Sequence, residues 1–207
     1  MKLIKSIFQP LNIDRKVALI TIVSTLLLLV FSYHNITPST EINQTVLFFV
    51  IPLLFIVLVF RESPRDYGLA LGDWRAGLVI TLGGIALMTP VIWSLAKLDP
   101  TSQSYYRGMT ASLPWNTFFQ IFGWEFLFRG WITFGYARKF GADALWIQAV
   151  PFALMHIGKP EIETLSTVFG GFAFGWIAYR TRSFLYPFLI HWYIFTLIVL
   201  VASGTLG

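Results

Sequence analysis

The stretch GWEFLFRG, residues 123–130, places one acid and one base inside an otherwise apolar run. Residues four apart share a face of an α-helix, so Glu125 and Arg129 are predicted to form an ion pair. The surrounding residues, from 117 to 136, are mostly aromatic or aliphatic, which is typical of a membrane helix. A charge at the bilayer centre costs roughly 2.5–3.5 kcal/mol on insertion scales, and the few charges found there are usually functional. The pair is therefore predicted to belong to a functional site, and an ion pair that only fixes helix packing is the alternative.

The composition indicates an integral membrane protein. Of 207 residues, 56% are hydrophobic, 17% are aromatic and only 12% are charged, and the mean hydropathy is +0.69. Apolar windows suited to membrane helices recur at residues 17–33, 45–60, 75–96, 115–137, 143–158, 165–180 and 184–203. This pattern predicts an all-α polytopic bundle of about seven transmembrane helices. The windows leave no stretch for a separate soluble domain, so one membrane-embedded domain over residues 1–207 is expected.

The distribution of basic residues predicts the orientation in the membrane. Eleven lysines and arginines fall in segments on the side of the N-terminus, whereas Lys97, Arg107 and Lys159 fall on the other side. Basic loops stay in the cytoplasm, so a cytoplasmic N-terminus in a bacterial cytoplasmic membrane is expected. The formal charge of +5 is scattered among loops and not gathered on one face, so nucleic acid is not a predicted partner.

Two kinds of sequence feature are absent from the chain. The chain has no cysteine, which excludes disulfides and cysteine zinc sites. No small-residue cleavage site follows the first apolar run, so that run is predicted to be a retained first span and not a cleaved signal peptide.

Two histidines lie in apolar segments outside the opening stretch. His156 follows Gln148 and Phe152 at steps of four, so these side chains are predicted to share the inward face of a helix kinked at Pro151. His191 lies early in the last apolar window. A carboxylate and an imidazole that converge on a water molecule form a general-base arrangement, which suits peptide-bond hydrolysis inside a membrane.

A metal ion is the rival use of the same side chains. Glu125, His156 and His191 match a zinc ligand set by residue type. The helical His-Glu-x-x-His spacing is absent, however, and the ligands would come from three helices. No cofactor is therefore predicted, with a divalent metal at these three residues kept as the alternative.

These residues also resemble the motifs of a known family. The motifs are Glu125-x-x-x-Arg129, Phe152-x-x-x-His156 and His191 near the start of a late span, in this order and on separate apolar segments. They look like those of the CAAX protease and bacteriocin-processing (CPBP) family of intramembrane endopeptidases, and in particular its type II CAAX prenyl endopeptidases. The resemblance covers about residues 60–195. It implies a membrane-embedded protease that cleaves a membrane-associated peptide or protein with water activated by a glutamate and a histidine.

The resemblance implies a role for each matching residue. Glu125 and His156 would activate water, Arg129 would hold Glu125, and His191 would contact the oxyanion or the substrate. Two positions depart from the family pattern, because Trp124 replaces the first acid of Glu-Glu-x-x-x-Arg and Phe195 replaces an asparagine or aspartate. Either Glu125 takes the role of the first acid, or the chain is a non-catalytic relative that acts as a membrane scaffold or partner-binding protein.

Two further carboxylates follow His156 at short distance in the sequence. They are Glu161 and Glu163. We expect one of them to fold back toward His156 and supply the missing acid, with Phe152 supporting the same site. Solvation of an ordinary loop would explain both carboxylates equally well.

Small residues recur at steps of three and four along the predicted sixth span. They are Thr164, Thr167, Gly171, Gly175 and Ala178. Such a stripe predicts close packing against a neighbouring helix. A groove that admits an extended substrate is the alternative interpretation.

Overall fold

A computed structural model describes residues 11–206. Lys2 and Lys5, which contribute to the predicted orientation, lie outside these residues. The described residues form helices and turns with no strand among them, which confirms the all-α prediction. The main helices are α1 (Arg15–Tyr33), α2 (Thr40–Phe60), α3 (Trp74–Leu98), α4 (Pro100–Tyr106), α5 (residues 115–140), α6 (Ala144–Leu154), α7 (Glu161–Thr181) and α8 (Leu185–Ala202).

Two of these helices contain π-helical segments, in which the backbone turn is wider than in an α-helix. In α2 these segments are Val46–Val50 and Phe55–Phe60. Helix α5 consists of Trp115–Glu125, the π-helical segment Phe126–Ile132 and Thr133–Phe140. Single 3₁₀ turns are found at Pro64–Tyr67, Thr110–Ser112 and Gly141–Asp143.

Four helices of the described chain are long and apolar enough to cross a membrane. They are α1, α2, α3 and α8. Each of the seven predicted windows corresponds to a helix, but the count of seven transmembrane helices is not confirmed. Helix α6 has 11 residues, which is about 16 Å of helix and well short of a hydrocarbon core about 30 Å thick. The membrane placement of α5, α6 and α7 therefore stays a prediction.

Polar caps define the ends of several helices. The Asp14 carboxylate accepts hydrogen bonds from the first backbone N–H groups of α1, and Asp73 and Asp99 do the same for α3 and α4. Such caps satisfy donors that have no partner within the helix. Helices α2 and α7 end instead at Arg61 and Arg182, whose backbones are left-handed, with φ of 55° and 59°.

The predicted stripe of small residues on α7 packs against α6. A β-carbon at Gly171 would lie 3.0 Å from Cβ of Ala149, and one at Gly175 would lie 2.7 Å from Nε2 of Gln148. The Gln148 side-chain amide donates a 2.6 Å hydrogen bond to the Gly171 carbonyl. At these two glycines the stripe is a helix-packing surface, as predicted.

Helix α2 crosses α5 close to the opening stretch. A β-carbon at Gly123 would lie only 2.8 Å from the backbone carbonyl oxygen of Gln44, so the two helices approach at backbone distance there. The crossing lies within one helical turn of Glu125. It therefore helps to exclude solvent from that carboxylate.

An ion-pair cluster around Glu62 ties together one end of the bundle. Glu62 accepts from Lys16 at the start of α1, from Nη1 of Arg138 near the end of α5 at 2.5 Å, and from the Tyr67 hydroxyl at 2.8 Å. Burial raises the pKa of the Glu62 carboxyl, but these hydrogen bonds outweigh burial and bring the pKa below its ordinary value of 4.5. The folded state therefore favours ionised Glu62.

This shift predicts a pH-dependent contribution to stability. Because the folded pKa is depressed, the contribution is fully present above the unfolded pKa and is lost as pH falls through the folded pKa. We expect the midpoint of thermal unfolding of wild type to exceed that of Glu62→Gln at pH 7, with the difference lost as the pH falls through the depressed folded pKa of Glu62. Since the cluster is partly exposed, its worth is about 1 kcal/mol or less. A difference that persists unchanged at low pH would contradict this interpretation.

Candidate active site

The predicted ion pair is present and completely buried. Glu125 and Arg129 both have an exposed fraction of 0%, and Nε of Arg129 lies 3.2 Å from Oε2 of Glu125. The guanidinium also lies 3.8 Å from the centre of the Phe152 ring and 5.3 Å from that of Phe174. A desolvated cation is attracted to aromatic faces, so the rings replace part of its lost hydration.

The wider π-helical segment begins directly after Glu125 and contains Arg129. The hydroxyl of Thr133 donates a 2.7 Å hydrogen bond to the Phe128 carbonyl, five residues earlier, which gives a partner to a carbonyl in this turn. Isolated π-helical turns are frequent at functional sites. The sequence spacing did not predict this departure from α-helical geometry.

His191 on α8 contacts the other carboxylate oxygen of Glu125. Nδ1 of His191 lies 2.6 Å from Oε1 of Glu125. An ionised carboxylate only accepts hydrogen bonds, so Nδ1 carries the proton and Nε2 is the ring nitrogen left for other partners. The carboxylate thus holds the orientation of the His191 ring while Arg129 balances its charge.

His156 lies in a turn beyond the end of α6. Gln148, Phe152 and His156 are all buried, as the predicted inward-facing stripe requires. The prediction that His156 belongs to the helix is wrong, because the α-helix ends at Leu154. Nδ1 of His156 lies 2.8 Å from the Phe152 carbonyl, which can only accept, so Nδ1 is the donor. In the neutral ring Nε2 is then a free acceptor, and it has no hydrogen-bond partner among residues 11–206.

The two histidines share two adjoining cavities of about 130 Å³ and 290 Å³. The first cavity lies between α3, α7 and α8, and the second lies toward α2 and α5. Residues that line both are His156, Lys159, His191 and Phe195. Glu125 lines neither cavity, and it reaches them only through His191. Its predicted role as the base that contacts water stays a prediction.

The structure separates the two carboxylates that follow His156. Glu163 lines the first cavity, where Oε1 accepts from Nζ of Lys159 at 2.9 Å and Oε2 accepts from the Tyr106 hydroxyl at 2.5 Å. Glu161 is exposed and lines neither cavity. The structure therefore brings Glu163, and not Glu161, to the same cavity as His156.

Tyr106 and Lys159 are site residues that the sequence did not single out. Lys159 lies four residues before Glu163 and pairs with it, a spacing that the sequence does display. Tyr106 lies 57 residues from Glu163 in the chain, between two of the predicted apolar windows. It belongs to the short helix α4.

Both positions that depart from the family pattern hold aromatic rings beside the cavities. The Trp124 ring lies 5.9 Å from the His156 ring, edge to face, and lines the second cavity. The Phe195 ring lies 5.7 Å from that of Tyr106. The side chains beside the cavities at these two positions are therefore aromatic, whereas the family pattern has an acid at the first position and an asparagine or aspartate at the second.

No group of three or more histidine, aspartate or glutamate side chains is placed to hold a metal ion within residues 11–206. Two of the three residues in the alternative metal set, Glu125 and His191, bond to each other instead. In this arrangement Nδ1 of both His156 and His191 is already bonded, so Nε2 is the ring nitrogen that remains available to a ligand.

The apolar helices and the buried Glu–Arg–His cluster define an integral membrane protein with a polar site inside its helical bundle. Residues 106–197 match the family model described as type II CAAX prenyl endopeptidase Rce1-like. This match confirms, over that segment, the resemblance to the CAAX protease family drawn from the motifs, and that family is generally a family of proteases. It includes every predicted site residue from Glu125 to His191. No curated protein and no solved structure matched the chain.

Proposed function

We propose that this protein is an intramembrane endopeptidase that hydrolyses a peptide bond of a membrane-associated peptide or protein. The observation that carries the proposal is the first cavity, which two histidines and the Glu163 carboxylate line. One of these histidines, His191, contacts the buried Glu125–Arg129 pair. A pocket with convergent polar groups in an apolar wall is the usual form of a catalytic site.

The hydrogen-bond pattern suggests how water is activated. Nε2 of His156 is the free acceptor and takes a proton from water as the water oxygen attacks the peptide carbonyl. Glu163 lines the same cavity and keeps lone pairs beyond those used by Lys159 and Tyr106, so it orients the water or shares the base role. The C–N bond then breaks, and the proton on His156 passes to the departing amine.

His191 and Glu125 act together in this proposal. The His191 ring takes a second proton from solvent before the reaction, and the Glu125 carboxylate balances that charge. Nε2 of the ring then donates a hydrogen bond to the oxygen that becomes negative during attack, and it keeps its proton throughout. A buried carboxylate that orients a histidine is a recurring catalytic arrangement. Glu125 is thus a positioning residue in the mechanism, and Arg129 fixes it.

A cleavage assay tests the proposal and the role of Glu163. The purified full chain in lipid nanodiscs is incubated with a farnesylated peptide that ends in a CAAX sequence, and release of the C-terminal tripeptide is measured by mass spectrometry. Glu163→Gln should lower turnover by about 10²-fold, the lower range for loss of an acid–base group. Glu161→Gln, a matched change two residues away on the surface, should leave turnover unchanged.

A non-catalytic membrane relative is the second candidate function, and the aromatic rings of Trp124 and Phe195 at the cavities favour it. Saturable binding of the peptide by wild type without any cleavage would establish this candidate and end the endopeptidase proposal. Full turnover by Glu163→Gln alongside active wild type would remove only the role given to Glu163.

A further inference from the structure

Another polar cavity, separate from the two active-site cavities, lies at the other end of the bundle beside the Glu62 cluster. Its volume is about 450 Å³. Three separate segments line it: the turn after α2, the end of α5 and the end of α7. The lining includes Arg65, Asp66, Phe134, Arg138, Tyr179 and Arg182. None of them lines the candidate active-site cavities.

The cavity carries an excess of positive charge. Three arginines against one aspartate leave a net charge of +2 on its lining. Arg138 is paired with Glu62. Arg65 and Arg182 have no ion-pair partner within residues 11–206. Two unpaired guanidinium groups around one cavity attract an anion and have donors free to bind it.

Backbone hydrogen bonds join the two segments that carry the unpaired arginines. The Phe184 N–H donates to the Gly68 carbonyl at 3.2 Å, and the Asp73 N–H donates to the Thr181 carbonyl at 2.8 Å. These bonds join the loop that carries Arg65 to the turn that carries Arg182. The backbone around the cavity is therefore in place before any ligand binds, which favours binding.

Arg182 also has an unusual backbone for its residue type. Its φ of 59° is left-handed, a conformation that glycine adopts with less strain at the end of a helix. An arginine there places a long cationic side chain at the cavity in a position where glycine would terminate α7 more easily. The position thus adds charge to the cavity at some conformational cost.

We propose that this cavity binds a phosphate group, as presented by the headgroup of an anionic phospholipid. Arginine forks match the oxygens of phosphate, and the Phe134 and Tyr179 rings give the cavity an apolar wall suited to the glycerol region of a lipid. The cavity lies where α5 and α7 end. In the predicted membrane placement of these two helices, their ends lie at the level of the lipid headgroups. A free phosphate ion has the same anionic chemistry, so the test separates the two sources.

The lipid arm of the test measures binding of phosphatidylglycerol and of phosphatidylcholine to the full chain in detergent by native mass spectrometry. The Arg65→Gln/Arg182→Gln double variant removes both unpaired charges. The Lys139→Gln/Arg180→Gln double variant is the matched control, because it removes two exposed charges at the same end that do not line the cavity. A second arm measures the shift in thermal unfolding caused by inorganic phosphate without lipid.

Two results would support the proposal. In the first, the cavity variant binds phosphatidylglycerol about 25-fold more weakly, which is about fivefold for each arginine, while the control changes little. In the second, wild type shows no preference between the lipids but phosphate stabilises it and not the cavity variant, which identifies a free anion as the ligand. Equal losses in both double variants would overturn the proposal, as would a wild type that responds to neither probe.

A variant that is expected to bind the anion more tightly separates the effect of charge from the effect of misfolding. Among residues 11–206, Asp66 is the one residue of the lining with a carboxylate. Asp66→Asn removes this charge and should tighten binding of the anion by about fivefold, the worth of one charge near a membrane surface. A damaged protein would not bind more tightly. Unchanged or weaker binding by Asp66→Asn would overturn the proposal.

Discussion

Replacing His156 by alanine should lower kcat/KM for cleavage of the farnesylated peptide by about 10²–10⁴-fold, the range for loss of a general base. Nδ1 of this ring is already bonded to the Phe152 carbonyl, so Nε2 is the acceptor that the ring offers to the cavities. Binding of the peptide should be nearly unchanged, because the substitution removes a proton acceptor and opens space. Single-turnover cleavage and equilibrium binding measured on the same preparation check both expectations.

His34→Ala is the matched control for this variant. His34 is exposed at the end of α1 and lines neither cavity, so its loss should leave turnover at the wild-type level. Turnover by His156→Ala above one tenth of wild type would show that water is activated elsewhere. Loss of peptide binding together with turnover would instead assign His156 a role in shaping the cavity.

Much of the fold follows from simple periodicity in the sequence. Each predicted window corresponds to a helix because every segment that buries its backbone in an apolar setting must satisfy its hydrogen bonds internally. Helix ends are less predictable, as α6 shows: the apolar pattern continues to residue 158, but the α-helix ends at Leu154. Hydrophobicity alone does not predict where a chain turns. Here the turn that follows Leu154 carries His156.

In the candidate site, contacts between residues close in the sequence are predictable from it, and contacts between distant residues are not. The Glu125–Arg129 pair depends on two residues of one helix, so their spacing predicts the pair. The spacing does so even though Arg129 lies in a π-helical segment, in which the turn is wider. The bond between Tyr106 and Glu163 joins α4 to α7, and no local pattern announces it. The departures at Trp124 and Phe195 are visible in the sequence, and so are Glu161 and Glu163 as candidates for a replacement acid. The choice between the two comes from the structure, in which Glu163 lines the first cavity and Glu161 lines neither.

Removing the charge of Glu125 while keeping its shape should destabilise the protein strongly. Glu125→Gln leaves the Arg129 guanidinium buried without a counter-ion, and breaking a buried pair in this way costs about 3–5 kcal/mol. The aromatic rings around Arg129 offset only part of that loss, since a desolvated cation–π contact is worth about 2 kcal/mol. The free energy of unfolding in detergent, measured for wild type and variant, checks this expectation. A loss below about 1 kcal/mol would show that the pair is not a buried charge pair in solution.

The double variant Glu125→Gln/Arg129→Met separates the structural role of the pair from its role in catalysis. Removing both charges leaves no unpaired ion, so stability should return close to the wild-type value. Turnover should stay low, because a neutral amide no longer balances a proton on the His191 ring. If stability and turnover return together, the pair only fixes helix packing, and the oxyanion contact does not depend on a charged partner for His191. If stability returns without turnover, the carboxylate buried behind the cavity acts on the reaction through His191, although it contacts neither water nor substrate itself.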